Sequence, residues 1–245
     1  MAVKHAPIPL AVPVLLSLAA GFIDACTLLA LFGLFVAQVT GSFVVAGAQL
    51  VTRDHGVFVK VAAIPVFFLA GVLATVIVTM ARRRGRTGLP ATLALEILAV
   101  GGFAGIGAAL APFNDPNEPA AVAAALLGLA AMGLQSATVR LVLHGYASTN
   151  VMTTNTTQLA IDVTQTAMTW RASRRVPGDE AAREEFASAR RRLFRLLPLV
   201  LGFLIGTLVG GLGYERFAFH ALAVPLAILA GLFGWSLRHA RMPGM

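Results

Sequence analysis

The feature that most constrains the fold is a series of long apolar stretches, each bounded by charge, proline or a polar turn. A transmembrane helix needs about 20 apolar residues. Six stretches are long enough, namely 9–32, 57–81, 89–111, 119–143, 196–214 and 217–237. No strand-like alternation is sustained over enough segments for a transmembrane β-barrel. The sequence therefore predicts an all-α integral membrane protein whose surroundings are a lipid bilayer.

Composition argues against the soluble alternatives. Hydrophobic residues make up 58% of the chain, the mean hydropathy is +0.81 and charged residues make up 12%, whereas a soluble domain has about 25% charged residues. The net charge of +8 comes from arginine clusters between apolar stretches, which is typical of cytoplasmic loops. We therefore expect no nucleic-acid partner.

Two further segments, 33–52 and 146–170, are long enough to cross but are polar near their starts. Positively charged loops face the cytoplasm, and both 82–86 and 171–195 are rich in arginine, whereas 112–118 carries only acidic charges. If 146–170 crossed, the arginine-rich segment after it would lie outside. Both segments are therefore predicted to be re-entrant or broken helices beside six crossings.

The same rule places both termini in the cytoplasm. Lys4 precedes the first stretch, and Arg238 and Arg241 follow the last. The segment 171–195 is expected to be a short amphipathic helix on anionic lipid or a solvated loop.

The two halves of the chain share a pattern. At a constant offset of 112, the first half matches the second at Gly21 with Gly133, Ala25 with Ala137, and Gly33 with Gly145. After one inserted residue, 39–42 falls on 152–155. This predicts two repeats, 1–112 and 113–245, within one integral membrane domain. Three crossings per repeat would invert the second, giving an inverted 3+3 repeat; chance similarity between apolar segments is the alternative.

Non-helical backbone at membrane depth must be satisfied by protein or water. The candidate solute-binding residues at the two polar segments are Asp24, Gln38, Thr40, Gly41, Ser42, Gln135, Thr153, Thr154 and Asn155. Gly41 is expected to permit a tight break, and Ser42 and Asn155 are expected to cap the helices that follow. Two helix N-termini that meet near the midplane would bind a small polar or anionic solute. The alternative is a polar seam that only packs helices.

Ionisable residues inside apolar stretches are candidate coupling or ion-binding groups. They are Asp24, Glu96, Asp162 and Arg140. A charge at the bilayer centre costs about 2.5–3.5 kcal/mol on insertion scales, so such residues face an interior or a cavity. The structural alternative is that Asp24 or Asp162 pairs with Arg140 and only holds helices together.

Small residues at four-residue spacing predict close helix packing, either within the chain or in a homo-oligomer. They form two faces, Gly202, Gly206 and Gly210 on one and Gly101 and Gly105 on the other. The histidines show no metal-ligand spacing, and no catalytic or phosphate-loop motif is found. We therefore expect no metal, no cofactor and no enzymatic activity.

The chain resembles the YoaK-like family of bacterial inner-membrane proteins, which are grouped under a domain of unknown function. The matching residues are Gly21, Asp24, Ala25, Thr40 and Gly41 in the first half and Gly133, Gln135, Ala137, Arg140 and Thr153 in the second. Ser42 and Ser136 stand where asparagine is usual, and Thr154 replaces a glycine. The resemblance implies a multi-pass protein of the bacterial inner membrane; it implies no substrate.

These observations favour a secondary transporter or channel-like carrier of a small polar or anionic solute, with its site at crossed half-helices near the bilayer midplane. Two alternatives remain open. One is a non-transporting membrane scaffold or sensor, and the other is an intramembrane enzyme that uses one of the buried acids.

Overall fold

The computed structural model describes residues 8–52, 57–175 and 179–239, and its regular elements are helices. They are α1 (Ala11–Ala30), α2 (Val39–Thr52), α3 (Val57–Arg83), α4 (Leu89–Leu110), α5 (Pro119–Val142), α6 (Met152–Arg175), α7 (Glu180–Phe217), a 3₁₀ turn (Ala218–Leu222) and α8 (Ala223–Arg238). No strand occurs in these ranges. The predicted all-α class is confirmed. Lys4 and Arg241, which served to orient the termini, lie outside the described residues.

Five helical segments are long and apolar enough to cross a membrane. Four are α1, α3, α4 and α5, which match the first four predicted spans. The fifth is the 59-residue segment Glu180–Arg238, which contains both remaining predicted spans. Within it α7 ends because Ala218 has a φ of 47°, outside the right-handed helical region. The last helix begins at Ala223, later than the predicted 217, and six separate spans are therefore not established.

The helices pack in pairs around a central core. The long helix α7 lies along α1, α3 lies along α5, and α4 packs against both α5 and α8. The shorter α2 packs on α3, and α6 packs on α7. Helices α1 and α5 also touch each other. Their buried residues form much of the main hydrophobic cluster.

The glycine face of α7 packs against the backbone of α1. A Cβ on Gly202 would lie 3.0 Å from the carbonyl oxygen of Val14, and one on Gly210 would lie 2.6 Å from that of Phe22. A Cβ on Gly206, between them, would overlap the carbonyl oxygen of Leu18. Each glycine four residues further along α7 meets a residue four further along α1, so the two helices run parallel. The prediction of close internal packing is confirmed at this face.

The second predicted glycine face makes no close contact within the described part of the chain, and its packing in a homo-oligomer stays a prediction. A Cβ on Gly101 or Gly105 would meet no atom within 4 Å. The close contacts of α4 come instead from Gly102, against the Leu127 side chain at 3.0 Å, and from Gly107, against the ring of Phe219. Four-residue spacing does not say which face of a helix meets a neighbour, and here the contact falls on other glycines.

The segment 171–195 is not a separate amphipathic helix. Its first residues complete α6, which ends at Arg175, and from Glu180 onward it forms the first turns of α7. Asp179 caps α7, since its side chain accepts a hydrogen bond from the amide of Ala182 at 3.1 Å. Residues 176–178 lie outside the described part of the chain.

Candidate functional site

A buried carboxylate holds the first helix break. After α1 ends, Gly33 adopts a left-handed φ of 76°, and the chain stays non-helical until Val39. The Asp24 Oδ1 atom accepts hydrogen bonds from the amides of Val36 and Ala37, both at 2.8 Å. Its Oδ2 atom accepts one from Gln38 Nε2 at 3.4 Å. Asp24 therefore supplies the partners that the broken helix cannot supply to its own backbone.

Amide and hydroxyl side chains hold the second break, with no carboxylate. Asn150 Nδ2 donates to the hydroxyl of Ser136. Gln135 Nε2 donates to the carbonyl oxygen of Leu16 at 3.0 Å and to Thr149 Oγ1 at 2.9 Å. This cluster links α5, the break and α1. The hydroxyl of Ser17 in α1 also lies 3.0 Å from the carbonyl oxygen of Thr149.

The two breaks share their local geometry. Each preceding helix ends at a leucine cap whose amide bonds to a carbonyl four residues earlier, Leu31 in the first half and Leu143 in the second. Each is followed by a left-handed glycine, and Gly145 has a φ of 86°. In each half a side-chain amide bonds back to a residue 14 positions earlier. The helices that follow begin at Val39 and Met152, the positions that the alignment pairs.

The predicted capping roles are wrong in detail. Ser42 and Asn155 lie inside the first turns of α2 and α6, and they donate instead of accepting. The Ser42 hydroxyl donates to the carbonyl oxygen of Phe35 at 3.0 Å, and Asn155 Nδ2 donates to that of Ser148 at 2.6 Å. Gly41 does not form the break either. It lies within α2, where a Cβ would come 3.2 Å from the ring of Phe35.

Both breaks lie against the central pair α1 and α5, but at different depths. Val36 of the first break packs 3.3 Å from the Cβ position of Gly128 in α5. The first break bonds to α1 at Asp24 and the second at Ser17, about 10 Å apart at a rise of ~1.5 Å per residue. Among the described residues α2 and α6 do not pack on each other. The expectation of crossed half-helices is therefore wrong; the two breaks share a central helix pair.

The predicted solute-binding residues separate into buried and exposed groups. Asp24, Ser42, Gln135 and Asn155 are buried, and Gln38 and Gly41 are partly buried. Thr40, Thr153 and Thr154 are exposed at the starts of α2 and α6. The structure brings Asp24 together with Gln38, but among the described residues no hydrogen bond joins the candidate residues of the first half to those of the second.

Helix α6 presents a polar surface that lipid would solvate poorly. It is not among the helices apolar enough to span, and Thr153, Thr157 and Thr164 are exposed along it. The hydroxyls of Thr157 and Thr164 donate to carbonyl oxygens one turn earlier, which satisfies the donors. Their remaining lone pairs still favour water or protein over hydrocarbon.

Asp162 pairs with a residue that the sequence did not single out. Its Oδ1 atom lies 3.4 Å from Nε of Arg192 in α7, where Asp162 is 2% exposed and Arg192 is 48% exposed. Gln158 also donates to this carboxylate at 3.1 Å, and Arg192 donates to Gln165 at 2.8 Å. Arg140, the partner considered for Asp24 and Asp162, is exposed at the end of α5. The α6–α7 ion pair takes the place of that pairing.

Glu96 is the candidate that the structure leaves unpartnered. Its side chain is 2% exposed, on α4, and its Oε1 atom has no hydrogen-bond partner among the described residues. The Oε1 atom of Gln135 is also buried without a partner there. Within the described ranges no group of three or more histidine, cysteine or acidic side chains could hold a metal ion.

A small pocket lies at the far end of the bundle from the arginine loops. It is lined by Leu31, Phe32, Leu34, Val59, Lys60, Pro116, Ala121 and Ala125. Lys60 supplies its charge and is 6% exposed. The pocket therefore joins the start of the first break to the 112–118 turn.

Sequence reasoning missed Lys60, Ser17, Thr149, Asn150 and Arg192. For Asn150 a signal was present, since it follows Ser136 by the same 14 residues that separate Gln38 from Asp24.

An all-helical bundle with several membrane-length apolar helices and two polar breaks defines a helical membrane protein. The chain belongs to the DUF1275 family of proteins of unknown function, whose model matches residues 12–235. The YoaK-like resemblance is consistent with this family. No match was found among curated proteins or solved structures.

Proposed function

We propose that the protein is a secondary transporter or channel-like carrier of a small polar or anionic solute. It lies in the bacterial inner membrane with both termini in the cytoplasm. The observation that carries this proposal is the pair of matched helix breaks, each built from polar groups beside the central helices α1 and α5. Broken helices whose freed backbone groups line a polar site are the usual binding element of secondary transporters.

An inverted 3+3 repeat accounts for the helix pairing. In such a repeat α1 corresponds to α5, and α3 corresponds to α7. The pairs α1 with α7 and α3 with α5 then become equivalent, and each joins the first crossing of one repeat to the second crossing of the other. The close approach of Gly21 to the Phe203 backbone parallels that of Gly133 to the Phe67 backbone, as this equivalence requires.

The class of solute follows from the groups that remain available. Exposed threonine hydroxyls at the starts of α2 and α6 offer both donors and acceptors, and helix N-termini favour negative charge. We therefore favour a small polar or anionic solute over a cation.

Water access at the breaks tests the proposal. In a background with the buried Cys26 replaced by alanine, Thr40→Cys and Thr153→Cys are treated with a membrane-impermeant methanethiosulfonate in right-side-out and, separately, in inverted membrane vesicles, because the inverted repeat opens the two breaks to opposite faces. Phe68→Cys is the matched control, because Phe68 is 67% exposed on the apolar span α3. The proposal expects both threonine positions to react and the control to stay unlabelled. A scaffold with no water path would leave all three unlabelled.

Solute movement gives the second test. Proteoliposomes are diluted into isosmotic solutions of small organic anions, inorganic phosphate or neutral polyols, and their swelling is followed by light scattering. A carrier accelerates swelling for at least one class, and Asp24→Ala, which releases the first break, reduces the rate. Swelling equal to that of protein-free vesicles in every solution favours the scaffold or sensor alternative.

A further inference from the structure

We propose that Glu96 is the proton-binding site of this carrier, taking up and releasing one proton during the transport cycle. The inference rests on the proposed transport function and names its coupling ion. It begins with the different situations of the three acids inside the bundle. Asp24 is engaged by two backbone amides and Gln38. Asp162 is paired with Arg192.

Glu96 has neither kind of compensation. It lies at the middle of the buried stripe of α4, between Thr92 and Val100, and the same stripe continues to Phe103. The Phe103 ring packs edge-on against Phe219 at 5.5 Å, so the stripe faces the interior of the bundle. Glu96 is about 10 Å from the start of α4 at ~1.5 Å per residue, which is within the hydrocarbon thickness of ~30 Å.

The elements packed against α4 bring no counter-charge to this carboxyl. The charged residue of α5 is Arg140, the 3₁₀ turn carries His220, and α8 ends with Arg238; all three are exposed. On α3, Lys60 lies in the first turn, at the opposite end of the bundle.

Two arginines lie at the other end of α3. Arg82 donates to the carbonyl oxygen of Leu141, and Arg83 is exposed. Among the described residues no ion pair forms with Glu96, whose Oε1 atom also lacks a hydrogen-bond partner.

This environment makes the protonated form of Glu96 much lower in free energy than its carboxylate. An isolated carboxylate in an apolar interior is far more costly than the neutral acid, which loses about 1–3 kcal/mol for an unmade hydrogen bond. The occluded arrangement therefore holds the neutral acid, and the carboxylate becomes favourable only when water reaches it. A group that is neutral when enclosed and charged when hydrated can carry a proton across in an alternating-access cycle.

Infrared spectroscopy tests the site without requiring a solute. The protein is reconstituted in vesicles of phosphatidylethanolamine and phosphatidylglycerol, and the C=O stretching band of protonated carboxylic acids is followed through a pH series. The expected result is a band at neutral pH that shifts in D₂O and is lost as the pH rises. Glu96→Gln removes this band, Glu96→Asp moves it, and the control Asp24→Asn leaves it in place.

Two results would overturn the proposal. One is a Glu96 band that neither titrates nor exchanges with D₂O while circular dichroism shows the protein folded, since that acid is sealed and only structural. The other is a spectrum that Glu96→Gln does not change. Both can occur in a protein that passes the labelling and swelling tests, so the failure of this proposal is distinguishable from the failure of the transport function.

Discussion

Gln38 donates a hydrogen bond to the carboxylate of Asp24, 14 residues before it, and this carboxylate also accepts two backbone amides of the same break. Asn150 and Ser136 repeat the 14-residue relationship in the second half, but with a hydroxyl as acceptor. The first break is thus held by a charged acceptor and the second by neutral groups. The two halves should differ in how strongly each break depends on one side chain.

Removal of the Asp24 carboxylate should destabilise the fold through the break. Asp24→Ala leaves two buried amides unpaired, at about 1–3 kcal/mol each, so the free energy of unfolding should fall by roughly 2–6 kcal/mol. Asp24→Asn keeps one acceptor oxygen and should lose less. Denaturant unfolding in detergent micelles measures both. The exposed Glu185 of α7 is the control, and Glu185→Ala should change stability by no more than about 0.5 kcal/mol. Equal stability of wild type and Asp24→Ala would contradict the role given to the carboxylate.

The α1–α7 contact predicts a selective glycine effect. Gly206→Ala places a methyl group against the Leu18 carbonyl, and such overpacking costs about 1–3 kcal/mol. Gly211 lies in the same helix with no atom within 4 Å of its Cβ position. Gly211→Ala should therefore be neutral or more stable by up to about 1 kcal/mol, since alanine is the better helix former. Thermal unfolding of the two variants measures this difference in stability. A similar loss of stability in both would show that the contact with Leu18 is not the cause.

The elements fixed by local sequence are the ones that sequence reasoning placed well. Helices α1 and α5 end within two residues of the predicted 32 and 143, since a left-handed glycine follows each end and that signal is local. The bounds of α3 and α4 were also predicted to within two residues, because each helix is one long apolar run. The last helix begins at Ala223 and not at the predicted 217, because nothing in the local composition marks the turn at Ala218.

The roles of the polar residues could not be obtained in this way. Ser42 and Asn155 have the chemistry of helix caps, and only the folded path of the chain shows that each donates to a carbonyl seven residues earlier. Arg192 becomes the partner of Asp162 because α6 packs on α7. These contacts depend on tertiary packing, which cannot be predicted from the local pattern of a single sequence.

The Asp162–Arg192 pair should couple α6 to α7. Arg192→Ala leaves the buried carboxylate with Gln158 alone, and its effect should be reduced in an Asp162→Asn background. A coupling of about 1 kcal/mol is expected, because half of the arginine side chain is exposed and solvent screens the pair. A double-mutant cycle in denaturant unfolding measures this coupling. Arg191→Ala, at the exposed neighbouring position, is the control and should show no dependence on residue 162. Additive effects at 162 and 192 would rule out the coupling.

The path of the chain across the bilayer makes the broken-helix proposal testable with three single cysteines. In the Cys26→Ala background, Arg84→Cys lies before α4, Asn117→Cys lies between α4 and α5, and Arg191→Cys lies after α6. An impermeant maleimide should label only position 117 from outside intact spheroplasts, and positions 84 and 191 after permeabilisation. In the proposed topology helix α5 returns the chain to the cytoplasm, so position 191 shares the side of position 84 only when the 143–175 segment does not cross. Labelling of position 191 from the outside would mean that α6 spans the membrane, and the matched re-entrant breaks would then have to be abandoned.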